Sequence, residues 1–182
     1  MSKTLILVAH PQFEASRANK ALVSAVWWRP DVEVVDLYGT SPDSRIDVER
    51  QVGLLLAADR IVLQFPMQWY STPPLLKEWQ DQVLTRMMYL AYEREGRQLQ
   101  GKPLLVAVTA GAPEKAYNME GSNRFTVGEL LSPLEAMAHR CGLQWQEPFV
   151  VYDARDASAE ALAAAGERYA AHLCNLALPV AA

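Results

Sequence analysis

Five apolar runs along the chain alternate with segments in which apolar residues recur every three or four positions. The first run, from Leu5 to Ala9, contains no polar residue, which is typical of a parallel strand covered on both faces. Similar runs predict further strands at Val32 to Leu37, Arg60 to Phe65, Pro103 to Thr109 and Phe149 to Tyr152. The pattern therefore predicts five strands separated by helices.

Helix starts can be read between these strands. Ser16, Asp47 and Ser158 stand at positions suited to N-caps, and Thr72-Pro73 is typical of a cap followed by proline at the first helical position. The apolar stripes are, in chain order, Ala18, Leu22, Ala25 and Val26; Val48, Val52, Leu55 and Leu56; Leu76, Trp79 and Val83; Leu130, Leu134, Met137, Ala138 and Cys141; and Leu162, Tyr169, Leu173 and Leu176. This order predicts an α/β fold, a five-stranded parallel sheet doubly wound by helices, in a single domain over residues 1–182.

In such an open sheet, ligands bind at the carboxyl ends of the strands, near the point where the strand order reverses. The loops after the first, third and fourth strands are therefore the candidate site. No GxGxxG follows the first strand and the chain has no P-loop, which argues against a dinucleotide-binding Rossmann domain and against a P-loop nucleotidase.

The loop after the first strand leads through His10 to a helix that starts at Ser16-Arg17-Ala18-Asn19. Unpaired amides and the helix dipole at such a start favour an anion, so a phosphate would fit there. Ser16 and Asn19 offer neutral hydrogen bonds, and His10 offers a donor or a positive charge. Taken alone, these residues are better explained as a capping serine and a solvated histidine, because serine is a common N-cap.

The other two loops differ from each other in character. The segment from Gln64 to Pro74 is rich in large side chains and could form a flat wall against a planar heterocycle, although Trp69 and Tyr70 could equally anchor an interface or the core. The segment from Thr109 to Pro113 consists of small residues that let backbone amides approach a ligand, or that simply make a turn. The three signals are stronger together, because all are expected at one edge of the sheet.

Composition narrows the class of protein. The chain has 51% hydrophobic and 21% charged residues, which argues against disorder, and its net charge of −4 gives no general attraction to nucleic acid. Cys141 and Cys174 form no CxxC pair, so a buried free thiol is expected at Cys141. The first apolar run is too short for a signal peptide or a membrane span, so we expect a cytoplasmic protein. Peripheral attachment to the inner membrane through a protein partner stays open.

Four segments carry a resemblance to a known family. The chain resembles the flavodoxin-like NAD(P)H:quinone reductases that bind FMN, which include animal DT-diaphorase and the bacterial ancillary subunits of glutathione-gated Kef potassium-efflux systems. The resemblance runs from Leu5 to about Leu173. Its most specific segment is Gln64-Phe65-Pro66-Met67-Gln68-Trp69-Tyr70, continuing through Pro73 to Leu75-Leu76-Lys77-Glu78-Trp79, and it is joined by Ala9-His10-Pro11, Ser16-Arg17-Ala18-Asn19 and Val108-Thr109-Ala110-Gly111.

The resemblance implies roles for residues of this chain. The FMN phosphate and ribityl chain would be held by His10, Ser16, Arg17, Ala18 and Asn19. The isoalloxazine ring would be held by Met67, Gln68, Trp69, Tyr70, Thr109, Ala110, Gly111 and Ala112. Tyr117 matches a tyrosine over the flavin and is the candidate catalytic residue.

This chain departs from the family pattern at two positions. Ala112 stands where family members have a second glycine, which would matter if its φ were positive. Asn123 stands where the larger enzymes have a histidine, so that histidine's proton-relay role does not carry over.

The function implied is the FMN-dependent two-electron reduction of a quinone by NADH or NADPH, with hydride passing through flavin N5, in a homodimer. A second reading is a regulatory ancillary subunit of a potassium-efflux membrane protein, with a mainly structural flavin site. A third reading, a flavodoxin-type electron carrier, is less favoured because such carriers are commonly strongly acidic. No nucleic-acid partner is expected.

Overall fold

The computed structural model describes residues 2–176. Its strands are all parallel and occur in the order β2-β1-β3-β4-β5, with β6 also paired to β4. The strands are β1 (Thr4–Val8), β2 (Val32–Asp36), β3 (Arg60–Pro66), β4 (Pro103–Thr109), β5 (Gln144–Trp145) and β6 (Phe149–Val151). The order reverses between β1 and β3, so this is the expected switch point for a ligand.

Helices cover both faces of the sheet. They are α1 (Arg17–Ser24), α2 (Leu37–Thr40), α3 (Val48–Ala57), α4 (Pro74–Trp79), α5 (Val127–Arg140) and α6 (Ala159–Cys174). The predicted α/β fold with a doubly wound parallel sheet is confirmed. The predicted domain runs over residues 1–182, of which residue 1 and residues 177–182 lie outside the described residues. Among the helices of residues 2–176, none is long and apolar enough to cross a membrane.

The core has one apolar cluster on each face of the sheet. Leu5 and Leu7 of β1 join a cluster that includes residues of α3, α4 and α5, while Ile6 and Val8 join residues of α1 and α6. Both faces of β1 are therefore covered, which explains why its residues from Leu5 to Val8 are all apolar. Trp145 of β5 is half-buried against the first cluster.

The predicted fifth strand, Phe149 to Tyr152, is β6 (Phe149–Val151), and β5, a two-residue strand that was not predicted, pairs with β4 before it. Along β4 the register advances from Leu104 to Ala107, while along the edge strands it advances from Trp145 to Phe149, one residue more. Pro148 lies in this extra stretch and has no N–H to donate to β4. The interruption therefore has a local cause that the apolar pattern alone does not reveal.

Most predicted caps are confirmed, and one is displaced. The side chains of Ser16, Asp47 and Ser158 each accept a hydrogen bond from an amide three residues later. The Thr72-Pro73 prediction is wrong by one residue, because Pro73 is the N-cap of α4 and Pro74 is its first residue. Pro73 keeps an extended ψ of 149°, as expected for a residue that precedes a proline.

Beyond Trp79 the α4 helix continues through two π-helical segments, Gln80–Leu84 and Arg86–Leu90. The predicted stripe of Leu76, Trp79 and Val83 is fully buried. The α2 turn was not predicted, although its signal is present in the sequence: the Asp36 carboxylate accepts from the Tyr38 amide at 3.0 Å and starts the helix directly after β2.

Candidate functional site

A cleft of about 300 Å³ opens at the carboxyl ends of β3 and β4. It is bordered by the loop after β3, the loop after β4 and one residue from the loop after β6. Its lining consists of Met67, Trp69, Tyr70, Gly111, Ala112, Tyr117, Asn123 and Arg155. Five of the residues implied by the resemblance to bind the flavin ring thus line one cleft, and Tyr117 joins them: the five are Met67, Trp69, Tyr70, Gly111 and Ala112.

The start of α1 has the properties of an anion site. Ser16 Oγ accepts from the Asn19 amide at 3.2 Å, and the amides of Arg17 and Ala18 come too early in the helix to have an intrahelical acceptor. Ala18 is buried in the core, so it can offer only its backbone. The Arg17 guanidinium donates to the Ala157 carbonyl at 2.8 Å, which places its charge between the starts of α1 and α6.

His10 is a neutral donor in this loop. Its Nδ1 accepts from the Gln12 amide at 3.0 Å, so the ring proton of the neutral form is on Nε2. Burial lowers the pKa of His10, and the nearby Asp36 carboxylate offsets part of that effect. Of the two roles considered for His10, the geometry favours the hydrogen-bond donor over the positive charge.

A buried polar network ties α1 to the ends of β3 and β4. Asn19 Nδ2 donates to Thr109 Oγ1 at 3.1 Å, and Gln64 Nε2 donates to the Asn19 carbonyl at 3.1 Å and to Asn19 Oδ1 at 3.2 Å. All three side chains are almost fully buried. Asn19 and Thr109 therefore fix the two loops relative to each other, and neither side chain is presented to the cleft.

Gln64 was not singled out from the sequence as a site residue. The available signal was a lone amide inside an otherwise apolar run. A buried amide is costly unless it is hydrogen-bonded, so its presence in β3 indicates a specific partner nearby. Here that partner is Asn19, at the first turn of α1.

The loop after β3 makes a two-residue turn with unusual backbone angles. Gln68 and Ser71 exchange two backbone hydrogen bonds of 3.0 Å, and between them Trp69 and Tyr70 have φ values of 46° and 64°. Glycine or asparagine is preferred in such a turn, and the left-handed region costs other residues about 1–2 kcal/mol each. Trp69 is nevertheless 93% exposed. Strain and exposure at one aromatic pair are typical of a functional constraint.

The first part of the loop after β4 is buried in the fold, and the second part lines the cleft. Thr109 and Ala110 are buried, and the Ala110 amide donates to the Val151 carbonyl at 2.8 Å. Gly111 and Ala112 line the cleft, and neither has a positive φ. Alanine in place of the family's second glycine is therefore accommodated without backbone strain.

Gly111 has no conformational or packing reason to be glycine. Among the described residues, a Cβ at this position would find nothing within 4 Å except the Arg155 guanidinium, at 4.0 Å. Because neither the backbone nor a neighbouring atom requires glycine, the space in front of it suits close approach of a ligand. The donor set around it suits the polar edge of a flavin ring, and the α1 start suits a phosphate, so these residues fit FMN.

Tyr117 lies against the cleft wall with two other aromatic residues. Its ring centroid is 5.7 Å from that of Tyr152, and the Tyr70 hydroxyl donates to Asn123 Oδ1 at 3.3 Å across the cleft mouth. Burial raises the pKa of Tyr117, with the Ala112 backbone acting in the opposite direction. Tyr117 is therefore a protonated hydrogen-bond donor at neutral pH.

The remaining candidates lie outside the cleft. Gln68 is exposed and bonded within its own turn, and Arg17 faces the start of α6. Cys141 is buried as expected, and desolvation raises its pKa to about 11, so it is an inert thiol at neutral pH. Within residues 2–176, no group of three or more His, Cys, Asp and Glu side chains is placed to hold a metal ion.

Comparison with known proteins agrees with the fold. Residues 2–173 match the model of a protein family described as having a flavodoxin-like fold. An uncharacterized NAD(P)H oxidoreductase of Bacillus subtilis, YdeQ, is 44% identical over 97% of this chain and 88% of its own length. The glutathione-regulated potassium-efflux system ancillary protein KefG of Cronobacter sakazakii is 42% identical over 92% of this chain and 90% of its own length.

A solved structure of a related protein has the same fold. The general stress protein 14 of Treponema denticola, crystallised in complex with FMN, superposes with a TM-score of 0.87 at 35% identity, covering 94% of this chain and 98% of that one. The resemblance seen in the sequence is confirmed. This chain belongs to the family with the flavodoxin-like fold that includes these NAD(P)H oxidoreductases and potassium-efflux ancillary proteins.

Proposed function

We propose that this protein is an FMN-dependent oxidoreductase that uses NADH or NADPH to reduce a quinone. The observation that carries the proposal is the cleft at the carboxyl ends of β3 and β4, where the unconstrained glycine at Gly111 faces the strained aromatic turn of Trp69 and Tyr70. Two of the relatives support it, one by its name as an NAD(P)H oxidoreductase and one by its FMN complex.

The start of α1 binds the phosphate in this proposal. The amides of Arg17 and Ala18 point along the helix axis toward the anion, His10 donates from Nε2, and Ser16 adds its hydroxyl. Arg17 contributes positive charge without leaving the Ala157 carbonyl. The network of Asn19, Gln64 and Thr109 keeps this loop in register with the loop after β4.

The ring lies in the cleft. When bound, FMN would supply the hydride chemistry that couples oxidation of NAD(P)H to reduction of the quinone. The Gly111 amide has no backbone acceptor among residues 2–176 and is available to the polar edge of the ring, and the Ala112 amide lies next to it, beside the Tyr117 hydroxyl. Trp69 and Tyr70 wall the space in which nicotinamide and quinone stack in turn. Tyr117 donates a hydrogen bond to the bound substrate or to the ring edge.

The activity is tested on purified protein reconstituted with FMN. We expect NADH or NADPH oxidation that depends on both FMN and a quinone, with two electrons delivered per quinone. Protein that binds FMN but does not oxidise either nucleotide in the presence of several quinones would contradict the proposed reaction while leaving the flavin site intact.

We also propose that the protein is a homodimer. A groove of about 490 Å³ runs between the π-helical continuation of α4 and α5, and Met67 lines both this groove and the cleft. Tyr89, on the groove wall, and Leu90 beside it are largely exposed although both are large and apolar. A second chain covering the groove would bury this surface and close the open side of the cleft.

A second candidate function is regulatory. The similarity to KefG favours an ancillary subunit of a potassium-efflux membrane protein, in which the flavin site would be mainly structural. The two functions make different demands on the cleft. In the regulatory case, variants that no longer oxidise NAD(P)H but retain FMN would still support potassium efflux. If catalysis is essential to the function, the same variants would also lose potassium efflux.

A further inference from the structure

Arg155 is the charged residue of the cleft. Of the eight residues that line it, Arg155 alone carries a formal charge. Its Nη2 is 4.0 Å from the position that a Cβ on Gly111 would occupy, so the guanidinium rests beside the Gly111 backbone. No carboxylate within residues 2–176 forms a salt bridge with it, although Asp153 and Asp156 are close in sequence. Its charge is therefore directed to the cleft and the solvent.

Three donors meet at this wall of the cleft. The Gly111 and Ala112 amides have no backbone acceptor among the described residues, and the Arg155 guanidinium lies next to the first of them. Both amides belong to the loop after β4, which is held rigidly: the Ala112 carbonyl accepts from the Asp153 amide at 3.1 Å, and the Ala110 carbonyl accepts from the Ala154 amide at 3.0 Å. These bonds also anchor the segment that carries Arg155. The donors are thus fixed before any ligand binds.

We propose that Arg155 stabilises the negative charge of reduced FMN, acting with the Gly111 and Ala112 amides on the N1 and O2 edge of the ring. This inference rests on the proposed function. Oxidised FMN has a neutral ring, whereas the reduced ring is negative near N1 and O2, so a fixed cation binds the reduced form more tightly than the oxidised form. Such a difference in binding raises the reduction potential of the bound cofactor and favours its reduction by NAD(P)H.

The test compares Arg155→Gln, which removes the charge, with Arg155→Lys, which keeps it. Arg168→Gln is the matched control, because Arg168 is an exposed arginine on α6 and its loss changes the net charge equally. For each protein the dissociation constant of oxidised FMN is measured by fluorescence quenching, and the midpoint potential of bound FMN by equilibration with a reference dye.

We expect Arg155→Gln to bind oxidised FMN within about threefold of the wild type, because the neutral ring gains little from a cation. We expect its preference for reduced FMN to fall about tenfold, which lowers the midpoint potential by about 30 mV for a two-electron couple. Arg155→Lys should recover most of the potential, and Arg168→Gln should match the wild type.

Two results would overturn the inference. One is an unchanged potential in Arg155→Gln that binds FMN normally. The other is an unchanged potential with a raised KM for NADPH or NADH, which would assign the guanidinium to the phosphates of the co-substrate instead. Wild-type protein that binds no FMN would be distinguishable from both, since it would contradict the proposed function itself.

Discussion

At the level of single residues, a substitution at Gly111 should affect folding stability and FMN binding in opposite directions. Gly111 has an ordinary backbone conformation and open space beyond its Cα. We expect Gly111→Ala to raise the free energy of unfolding by about 0.4–1 kcal/mol, because alanine loses less chain entropy on folding. The added methyl intrudes on the ring, so FMN affinity should fall about tenfold, as for a modest overpacking of a filled site.

Gly53→Ala is the matched control for this experiment. Gly53 lies in α3, where an added methyl group would have no neighbour within 4 Å in the part of the chain that the structure describes, and it is not among the residues that line the cleft. This variant should gain about 1 kcal/mol in unfolding free energy with unchanged FMN affinity. Chemical denaturation and FMN titration measure both quantities. If the Gly111 and Gly53 variants bound FMN with equal affinity, Gly111 would not be in contact with the flavin.

Ser16 and Tyr117 should fail in different ways, because they serve opposite ends of the site. Ser16→Ala removes a helix cap and a phosphate hydrogen bond, each worth about 1 kcal/mol, so FMN affinity should fall several-fold and saturating FMN should restore turnover. Tyr117→Phe removes a protonated donor from the substrate side, so FMN binding should persist while the rate at saturating FMN falls. The assignment of roles would be contradicted if saturating FMN failed to restore turnover in Ser16→Ala while Tyr117→Phe turned over at the normal rate.

Among the elements, the turn after β3 has a strained backbone at the cleft, which lowers the free energy of unfolding. The backbone of Trp69 is in the left-handed region, and its side chain is almost fully exposed, so burial does not offset the strain. We expect Trp69→Gly to raise the free energy of unfolding by about 1 kcal/mol and to weaken FMN binding and turnover together. Ser44→Gly is the control, since Ser44 has a φ of 56° on an exposed loop outside the cleft lining. It should gain stability alone. A destabilised Trp69→Gly would mean that the turn is not strained.

The elements also show what a sequence can and cannot predict. Apolar periodicity placed the strands and most helix caps correctly, because both depend on neighbours along the chain. It missed the two-residue strand β5, the one-residue displacement at Pro73 and the short α2 turn, where a single proline or aspartate decides the backbone. It also could not show that Gln64 meets Asn19, or that Arg155 lies beside Gly111. Those contacts are set by the stacking of the loops at one sheet edge.

At the scale of the whole molecule, the groove beside α5 predicts self-association. Ala136 is exposed on α5 and lines the groove, whereas Ala171 is exposed on α6 on the other face. Ala136→Glu should leave the monomer fold intact and shift the protein from dimer to monomer, because a charge in an apolar interface must be desolvated. Ala171→Glu should stay dimeric. Light scattering at micromolar concentration with FMN present measures both, and a monomeric wild type would contradict the dimer.

Flavin binding is measured most directly by a fluorescence titration of the wild-type protein with FMN, paired with its visible spectrum. The cleft at the carboxyl ends of β3 and β4, with the phosphate site at the start of α1, predicts saturable quenching that ends at one FMN per chain. The bound spectrum should differ from that of free FMN because the ring leaves water for the aromatic wall. Quenching that never saturates, or an end point well below one per chain in folded protein, would contradict a flavin site in this cleft.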